Sequence, residues 1–506
     1  MSLLGIDIGT SGCKATIIDR EGVMQSQAYC EYYTLSPAEG LQEINPDVVF
    51  SSVCKVVCEA VVACGSDPVQ GISASSFGEA VVALDRQGQA IGNSLLYIDK
   101  RGEEEAEYLK KRIGDERVLQ IAGTKIQPMF SLCKIMWLKK HQPEQYNRTW
   151  KYLLYADYVL FRLGAEPHTD YSLATRTMAF DITSKTWSQE ILDCAAIDRT
   201  KFAEPVQAGT AVGTIAAAVA ADLGLPADVA LVAGGHDQPC AALGAGVIRP
   251  GMAIDGLGTV ECLAPAFNSP ILNDAMANHA FACVPHVVKD LYVTYAFTFT
   301  SGSVLKWYRD TLGQPYKDAA DKRGVNAYTL MIEDALADPS PSPLLLLPHF
   351  AGAATPYMDN GSRGALIGLT TRTSARDILK AILEGITFEI MVNQEKLADA
   401  SIAIHDLRAV GGLARSDQFL QLKANMMGTK IASLVYAEAG TIGVAILAGT
   451  ATGLYTGIED AVQKLVRVKK VFEPDKQVYA EYQARFVAYK RIYPAVRPIF
   501  TASTLS

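Results

Sequence analysis

Two short glycine-bearing segments, far apart in one chain, carry the residue types that hold phosphate. Gly5-Ile6-Asp7-Ile8-Gly9-Thr10-Ser11-Gly12 follows the first apolar residues, and Ile254-Asp255-Gly256-Leu257-Gly258-Thr259-Val260-Glu261 echoes it in the second half. Each reads as a β-hairpin turn whose glycines bring backbone N–H groups close to an anion, with Thr or Ser hydroxyls beside them. Two such turns, each heading its own α/β half, predict a duplicated fold that clamps a nucleotide triphosphate from both sides.

The elements that must position these turns follow from hydrophobic spacing. Residues 3–8 and 14–19 read as strands on either side of the first turn. Val48, Val49, Val53, Val56, Val57 and Val61 predict a helix over residues 46–64. Strands are expected at 70–75 and 80–85, with a turn at 86–88, and a charged helix at 99–112. A short apolar strand at 230–234 runs into Gly235-His236-Asp237-Gln238-Pro239, and a helix is expected at 240–245. Gly244, Gly246, Pro250 and Gly251 punctuate the chain there, which divides it into domains 1–247 and 248–506. In the second half, helices are expected at 374–398 and 416–427, with a strand at 407–412 ending in glycines. The mixture is α/β.

Bulk composition narrows the function classes. The 506 residues are 49% hydrophobic and 20% charged, with a net charge of −8 from 46 basic and 54 acidic residues and no long single-sign block. That disfavours a nucleic-acid surface or an anionic membrane as partner. Ten scattered cysteines without a CxxC pair fit a reducing, cytoplasmic location. No basic stretch followed by an apolar one opens the chain, so no secretory signal is expected. The GxxxxGK phosphate loop and the HRD motif of protein kinases are absent.

In this order and spacing the motifs resemble the FGGY family of carbohydrate kinases over nearly the whole chain. The first turn looks like that family's opening phosphate motif, and Gly234-Gly235-His236-Asp237 looks like its catalytic-aspartate motif. Asp157-Tyr158, Thr169-Asp170-Tyr171-Ser172 and the segment from Phe180 to Trp187 follow in the family's order. Gly361-Ser362-Arg363-Gly364-Ala365-Leu366-Ile367-Gly368-Leu369 resembles its C-terminal signature. Gly411-Gly412, Ser416 and Gln418 resemble its adenosine contact, and Glu438 to Ala445 its closing helix. The resemblance implies two actin-like (ribonuclease H-like) domains, each a mixed sheet flanked by helices. It also implies ATP, Mg²⁺ and a small sugar or polyol meeting in the cleft between them. A homodimer is compatible with it, although no residue here establishes one.

Roles follow residue by residue. Asp237 is expected to be the general base that takes the proton of a sugar hydroxyl; on residue type alone it reads as a helix N-cap, because Pro239 and a helix follow. Asp7 is expected at Mg²⁺, through water, its alternative being an Asx turn. Thr10, Ser11 and Lys14 offer donors to the β- and γ-phosphates, and Gly258 and Thr259 hold phosphate from the other domain; Lys14 also reads as a solvated strand-edge lysine. Glu261 belongs either to the metal site or to a strand cap. Gly302, Lys306, Gly411, Gly412 and Ser416 are the remaining nucleotide candidates. On the sugar side stand Gly78, Glu79, Asp99, Arg101, His236 and Gln238, with Glu79 and Asp99 as hydrogen-bond acceptors.

Several departures bear on the substrate. Glycerol kinases resemble Arg-Glu where this chain has Gly78-Glu79, and an aromatic where Met129 stands, which disfavours glycerol. Xylulose kinases look like Met-His at 78–79, so D-xylulose does not follow either, and His236-Asp237 is closer to fuculose-type kinases. Ala353-Ala354 stand where many members carry Glu-Arg. The expectation is ATP-dependent phosphorylation of a small ketose or polyol. Its competitors are an actin-like ATPase and a sugar-sensing regulator without kinase activity.

Overall fold

The computed structural model describes residues 1–65 and 67–501. Strands β1 (Ser2–Ile8) and β2 (Gly12–Asp19) pair antiparallel around the first turn, which sets Asp7 opposite Lys14. β3 (Met24–Glu31) adds to β2. Helix α1 (Pro46–Cys64) starts where the Asn45 side chain accepts the N–H groups of Asp47 and Val48, with Pro46 in its first turn. It buries Val49, Val53, Val56 and Val57 against β2 and β3. Val48, expected on the same face, is 47% exposed, because it lies one residue (about 100°) off that stripe. β4 (Val69–Ser76), β5 (Ala211–Thr214) and β6 (Ala230–His236) complete the first sheet, and helix α2 (Asp237–Gly244) leaves β6 directly.

The second half repeats this plan. β7 (Met252–Leu257) and β8 (Glu261–Phe267) form its hairpin, and β9 (Val284–Pro285), β10 (Tyr292–Val293) and β11 (Ala296–Thr298) lie on the β8 side. Helix α3 (Gly302–Thr311) and the long α4 (Ala375–Asp399) lead to β12 (Asp406–Val410). Ser374 begins α4 with a capping box shared with Asp377. Then come α5 (Asp417–Met427), β13 (Lys430–Leu434), α6 (Ala439–Ala451) and β14 (Val468–Phe472).

Strand order makes the duplication explicit. The first sheet runs β5-β6-β4-β1-β2-β3, and the second β9-β10-β8-β7-β12-β13-β14 with β11 also on β8. In each, two parallel strands follow in order on one side of the first hairpin strand, β4 then β6 or β12 then β13, and an antiparallel strand closes that edge. Ligands in such sheets bind beyond the carboxyl ends of the parallel strands. Register puts Ile8 and His236 on either side of Ser76, so the segments after β1, β4 and β6 share one edge. In the second sheet Gly256 pairs with Val410, which brings Gly258 and Gly411 together.

The halves are joined by crossed helices rather than set end to end. α6, from the second half, packs on β1, β4 and α2 of the first. The crossing is close: a Cβ on Gly443 would stand 1.9 Å from the carbonyl oxygen of Cys240. Among the described residues no helix is long and apolar enough to cross a membrane.

Candidate active site

Asp237 occupies the first helical position of α2, and His236, one residue earlier, is the N-cap residue; no side chain caps this helix. The carboxylate is therefore not spent on the cap. Its Oδ1 is buried without a hydrogen-bond partner, while 34% of the side chain remains open. Burial, reinforced by the negative charges of Asp7 and Glu79, pushes its pKa up to about 7, against the Gln238 N–H and Arg176, which pull it down. A carboxyl with that pKa exchanges a proton readily near neutrality.

His236 is buried, and desolvation followed by the Arg176 charge holds its pKa well below the ordinary range, so the ring is neutral. Its Nε2 lies 3.2 Å from Asp237 Oδ1, outside hydrogen-bond geometry, and its Nδ1 lies 3.2 Å from the Tyr295 hydroxyl of the second half. The His236 N–H donates to Ser172 Oγ at 2.9 Å, and Ser172 Oγ donates to Asp170 Oδ1 at 3.0 Å. The start of α2 is thus tied to the 170–172 turn. Gln238 sits half-buried in the first turn of α2.

Asp7 accepts the Ser75 hydroxyl at 2.6 Å. Burial raises its pKa, while Ser75 and Lys14 pull it down. The N-terminus of α6 abuts it: a Cβ on Gly440 would stand 3.1 Å from the Asp7 carboxyl carbon. Among the described residues no group of three or more His, Cys, Asp or Glu is arranged to hold a metal. The Asp7 carboxylate, near enough to Asp237 to raise its pKa, is a chemical fit to Mg²⁺, which takes most of its ligands from phosphate and water. The Thr10 and Ser11 hydroxyls make no hydrogen bond among the described residues. Lys14, expected on phosphate, has its Nζ 3.7 Å from Glu438 Oε1.

A cavity of about 800 Å³ brings together Gly258, Thr259, Gly302, Lys306, Gly412 and Ser416. Gly302 and Gly411 are close-approach residues, since a Cβ on either would stand 2.6 Å from the carbonyl oxygen of Gly258 or Leu257 respectively, and Gly411 has φ +96°. A Cβ on Gly412 would meet nothing within 4 Å, so the backbone there is bare to the cavity. The Ser303 hydroxyl, also lining it, is buried without a partner. An open glycine floor and an orphaned donor suit an adenosine phosphate. Ser416 itself caps α5, accepting the Phe419 N–H at 3.3 Å, and Lys306 Nζ lies 3.3 Å from Asp310.

Other expected residues have partners within the protein. Asp99 and Arg101 are paired within the protein: Asp99 accepts from Arg101 Nε at 2.9 Å and from the Gln42 N–H at 2.6 Å, and Arg101 also pairs with Glu43 at 2.8 Å. The helix expected from residue 99 starts at Glu103, because Asp99 also accepts the Arg101 N–H and Gly102 turns at φ +101°. Glu261, the first residue of β8, has its carboxylate in a buried ion cluster. It is fully buried and receives Lys423 Nζ and the Ser301 hydroxyl, the latter at 2.8 Å, while the same Lys423 lies 2.9 Å from Asp255. Glu79 is buried in an ion pair with Arg176. Arg176, Tyr295 and Lys423 were missed, since each meets its partner through the fold; Arg176, four residues after Ser172, was within reach of the quoted Thr169-to-Ser172 motif.

Comparison with known proteins gives a consistent result. The model of the N-terminal domain of the FGGY family of carbohydrate kinases matches residues 2–244, and that of the C-terminal domain matches residues 257–452. A xylulose kinase of Bacillus subtilis (strain 168) is 29% identical over 502 residues, 99% of this chain and 98% of that protein. Among solved structures, a ligand-bound xylulose kinase from Lactobacillus acidophilus superposes with a TM-score of 0.87 at 24% identity, covering 99% of each chain. A gluconate kinase from the same organism gives 0.87 at 24% identity, covering 99% of this chain and 98% of that one.

Proposed function

The chain belongs to the FGGY family of carbohydrate kinases, and from that membership we propose that it moves the γ-phosphoryl group of Mg-ATP to a hydroxyl of a small ketose or polyol, with Asp237 as general base. The unpartnered Oδ1 of Asp237, beside a neutral histidine, carries this assignment. A xylulose kinase relative spanning the whole chain makes a pentulose the first sugar to try. The pair at residues 78–79 keeps the choice among ketoses open.

In this mechanism the sugar lies at the edge formed by Glu79, His236 and Asp237, and the nucleotide lies in the 800 Å³ cavity of the second domain. Asp237 takes the hydroxyl proton as the oxygen attacks phosphorus. The first hairpin, through Thr10 and Ser11, and the second, through Gly258 and Thr259, hold the phosphates from opposite sides. Mg²⁺, when bound, shields the phosphate charge next to Asp7. Domain closure excludes water, which limits hydrolysis of ATP. Ten cysteines, all free, support a reducing, cytoplasmic setting, and light scattering decides between monomer and homodimer.

The test is ADP release with Mg-ATP across ketoses, aldonates and polyols, with Asp237→Ala alongside. A sugar-stimulated rate that falls at least about 1,000-fold in Asp237→Ala, with ATP binding retained, is expected. ADP release that no sugar stimulates points to an ATPase or regulator, and an active Asp237→Ala removes the base assignment.

A further inference from the structure

Glu79 and Arg176 form an ion pair held with unusual care. The guanidinium donates from both Nε, at 2.7 Å, and Nη2 to the single oxygen Oε1 of Glu79. Neither Glu79 Oε2 nor Arg176 Nη1 makes a hydrogen bond among the described residues, and neither is sealed away as a buried orphan. Three features fix this geometry. Gly78 leaves room for the guanidinium, because a Cβ there would stand 2.7 Å from Arg176 Cγ and 3.1 Å from Nε. Glu79 takes the left-handed backbone conformation, φ +64°. Ser131 Oγ donates to the carbonyl oxygens of both Glu79 and Arg176, the second at 3.2 Å, while Phe130 lies under the guanidinium with 5.1 Å from Cζ to the ring centroid.

A buried ion pair contributes little net stability. A non-glycine residue in the left-handed region is strained, and such strain clusters at functional sites. The pair also lies within electrostatic reach of Asp237 and Tyr295. It leaves one donor edge and one acceptor edge free, which is the complement of two neighbouring hydroxyls. The surrounding charge sets the substrate's charge. Arg176 is offset by Glu79, and the carboxyl groups of Asp7 and Asp237 stand nearby, so the pair has no spare positive charge to offer a carboxylate.

We propose that Arg176 and Glu79 together read two hydroxyls of an uncharged sugar, and that Gly78 is the residue that admits the guanidinium. The proposal rests on the sugar-kinase assignment and names the substrate class for that site: a neutral ketose or polyol with adjacent free hydroxyls, and not an aldonate. Arg176 is a specificity residue; the phosphoryl chemistry stays with Asp237.

Steady-state kinetics of Arg176→Lys and Gly78→Ala, with the best sugar and with ATP varied separately, test this. Lysine keeps the charge but replaces the planar fork, which presents Nε and Nη2 to Glu79 and Nη1 to the sugar, with a compact ammonium that cannot reproduce that geometry. The alanine keeps every polar group and displaces the guanidinium. Both variants should raise the sugar KM about tenfold or more, with the ATP KM and Tm near those of the parent. An unchanged sugar KM in a folded variant overturns the proposal. So does a parallel loss of Tm and of ATP affinity in both variants, or failure of both to fold, since the pair then serves only the structure. If just one variant folds, its sugar KM decides. A parent enzyme that prefers an aldonate to the ketose of equal length overturns the substrate class. A parent that phosphorylates no sugar removes the kinase assignment itself, a different outcome from an active parent with unaffected variants.

Discussion

The two glycine hairpins start from the same residue order and end as different devices. In each, an aspartate sits on the first strand before the turn, Asp7 on β1 and Asp255 on β7, and strand register gives both the same parallel neighbour on one side. Asp7 has a hydroxyl for company, Ser75 at 2.6 Å, and its opposite-strand lysine leans to Glu438. Asp255 is fully buried with Lys423 Nζ at 2.9 Å, and Lys423 also reaches Glu261, likewise without exposure. Two carboxylates share one ammonium there. Burial therefore pushes the Glu261 pKa up, while the acidic neighbours hold Lys423 charged. One copy of the hairpin has kept an uncommitted carboxylate beside a phosphate turn. In the other the carboxylates are locked into the scaffold by a lysine from α5, and its turn contributes backbone and Thr259 alone.

If the second hairpin is scaffold, breaking its ion cluster should cost the most stability. Lys423→Met leaves Asp255 and Glu261 buried without a counter-charge, and we expect a loss of about 3–5 kcal/mol in urea unfolding. Replacing all three residues together by apolar side chains of similar volume should recover most of that loss. Parental stability in Lys423→Met would mean that the carboxylates protonate there at little cost, and the contrast between the hairpins would narrow to geometry.

The contrast also marks how far the residues alone could be read. Helix α1 has the expected bounds because its signals are local: an Asn-Pro start, valines at helical spacing and Gly65 after the last turn. The hairpins and the strand running into Asp237 were legible for the same reason. Lys423 stands 162 residues from Glu261 and Arg176 stands 97 from Glu79, and no local pattern announces such partners. Glu261 therefore looked available for a metal. Asp99 and Arg101, expected at the sugar, are joined in the fold by Gln42 and Glu43 from an earlier segment, partners that no local pattern marks. Helix caps and turns announce themselves locally, whereas the charges that neutralise Glu79 and Glu261 arrive from distant segments that the sequence does not mark.

The first hairpin should respond in activity and not in stability. Asp7→Asn keeps the Ser75 hydrogen bond but removes a charge, so the expected result is a kcat lower by about 100-fold with Tm near the parent's. The pH profile separates this from a packing defect. With Asp237 near 7, kcat/KM for the sugar should rise about tenfold per pH unit below 7 and level off above it, because the base must be unprotonated. Asp7 helps to raise that pKa, so Asp7→Asn should move the acidic limb to lower pH. A limb that stays in place, or moves up, would separate Asp7 from Asp237.

The smallest effect comes from the hydrogen bonds that hold the working carboxylate in place of an ion pair. Ser172 Oγ accepts the His236 N–H at 2.9 Å and donates to Asp170 Oδ1 at 3.0 Å, so the residue before Asp237 is anchored through a single hydroxyl. Asp170 cannot lend a firm charge to this chain, since burial brings its pKa to about 7 against the Leu173 and Ser172 bonds that lower it. Ser172→Ala leaves the His236 N–H without its acceptor, at a cost of about 1–3 kcal/mol if it stays buried. Part of that cost should appear as displacement of Asp237 and not as unfolding. We expect kcat to fall about three- to tenfold with the sugar and ATP KM values little changed, and Ser172→Thr to restore most of the rate. A fall confined to Tm would make the 170–172 turn a scaffold like the Lys423 cluster, and the working half would then be positioned by the strand register of β4 and β6 alone.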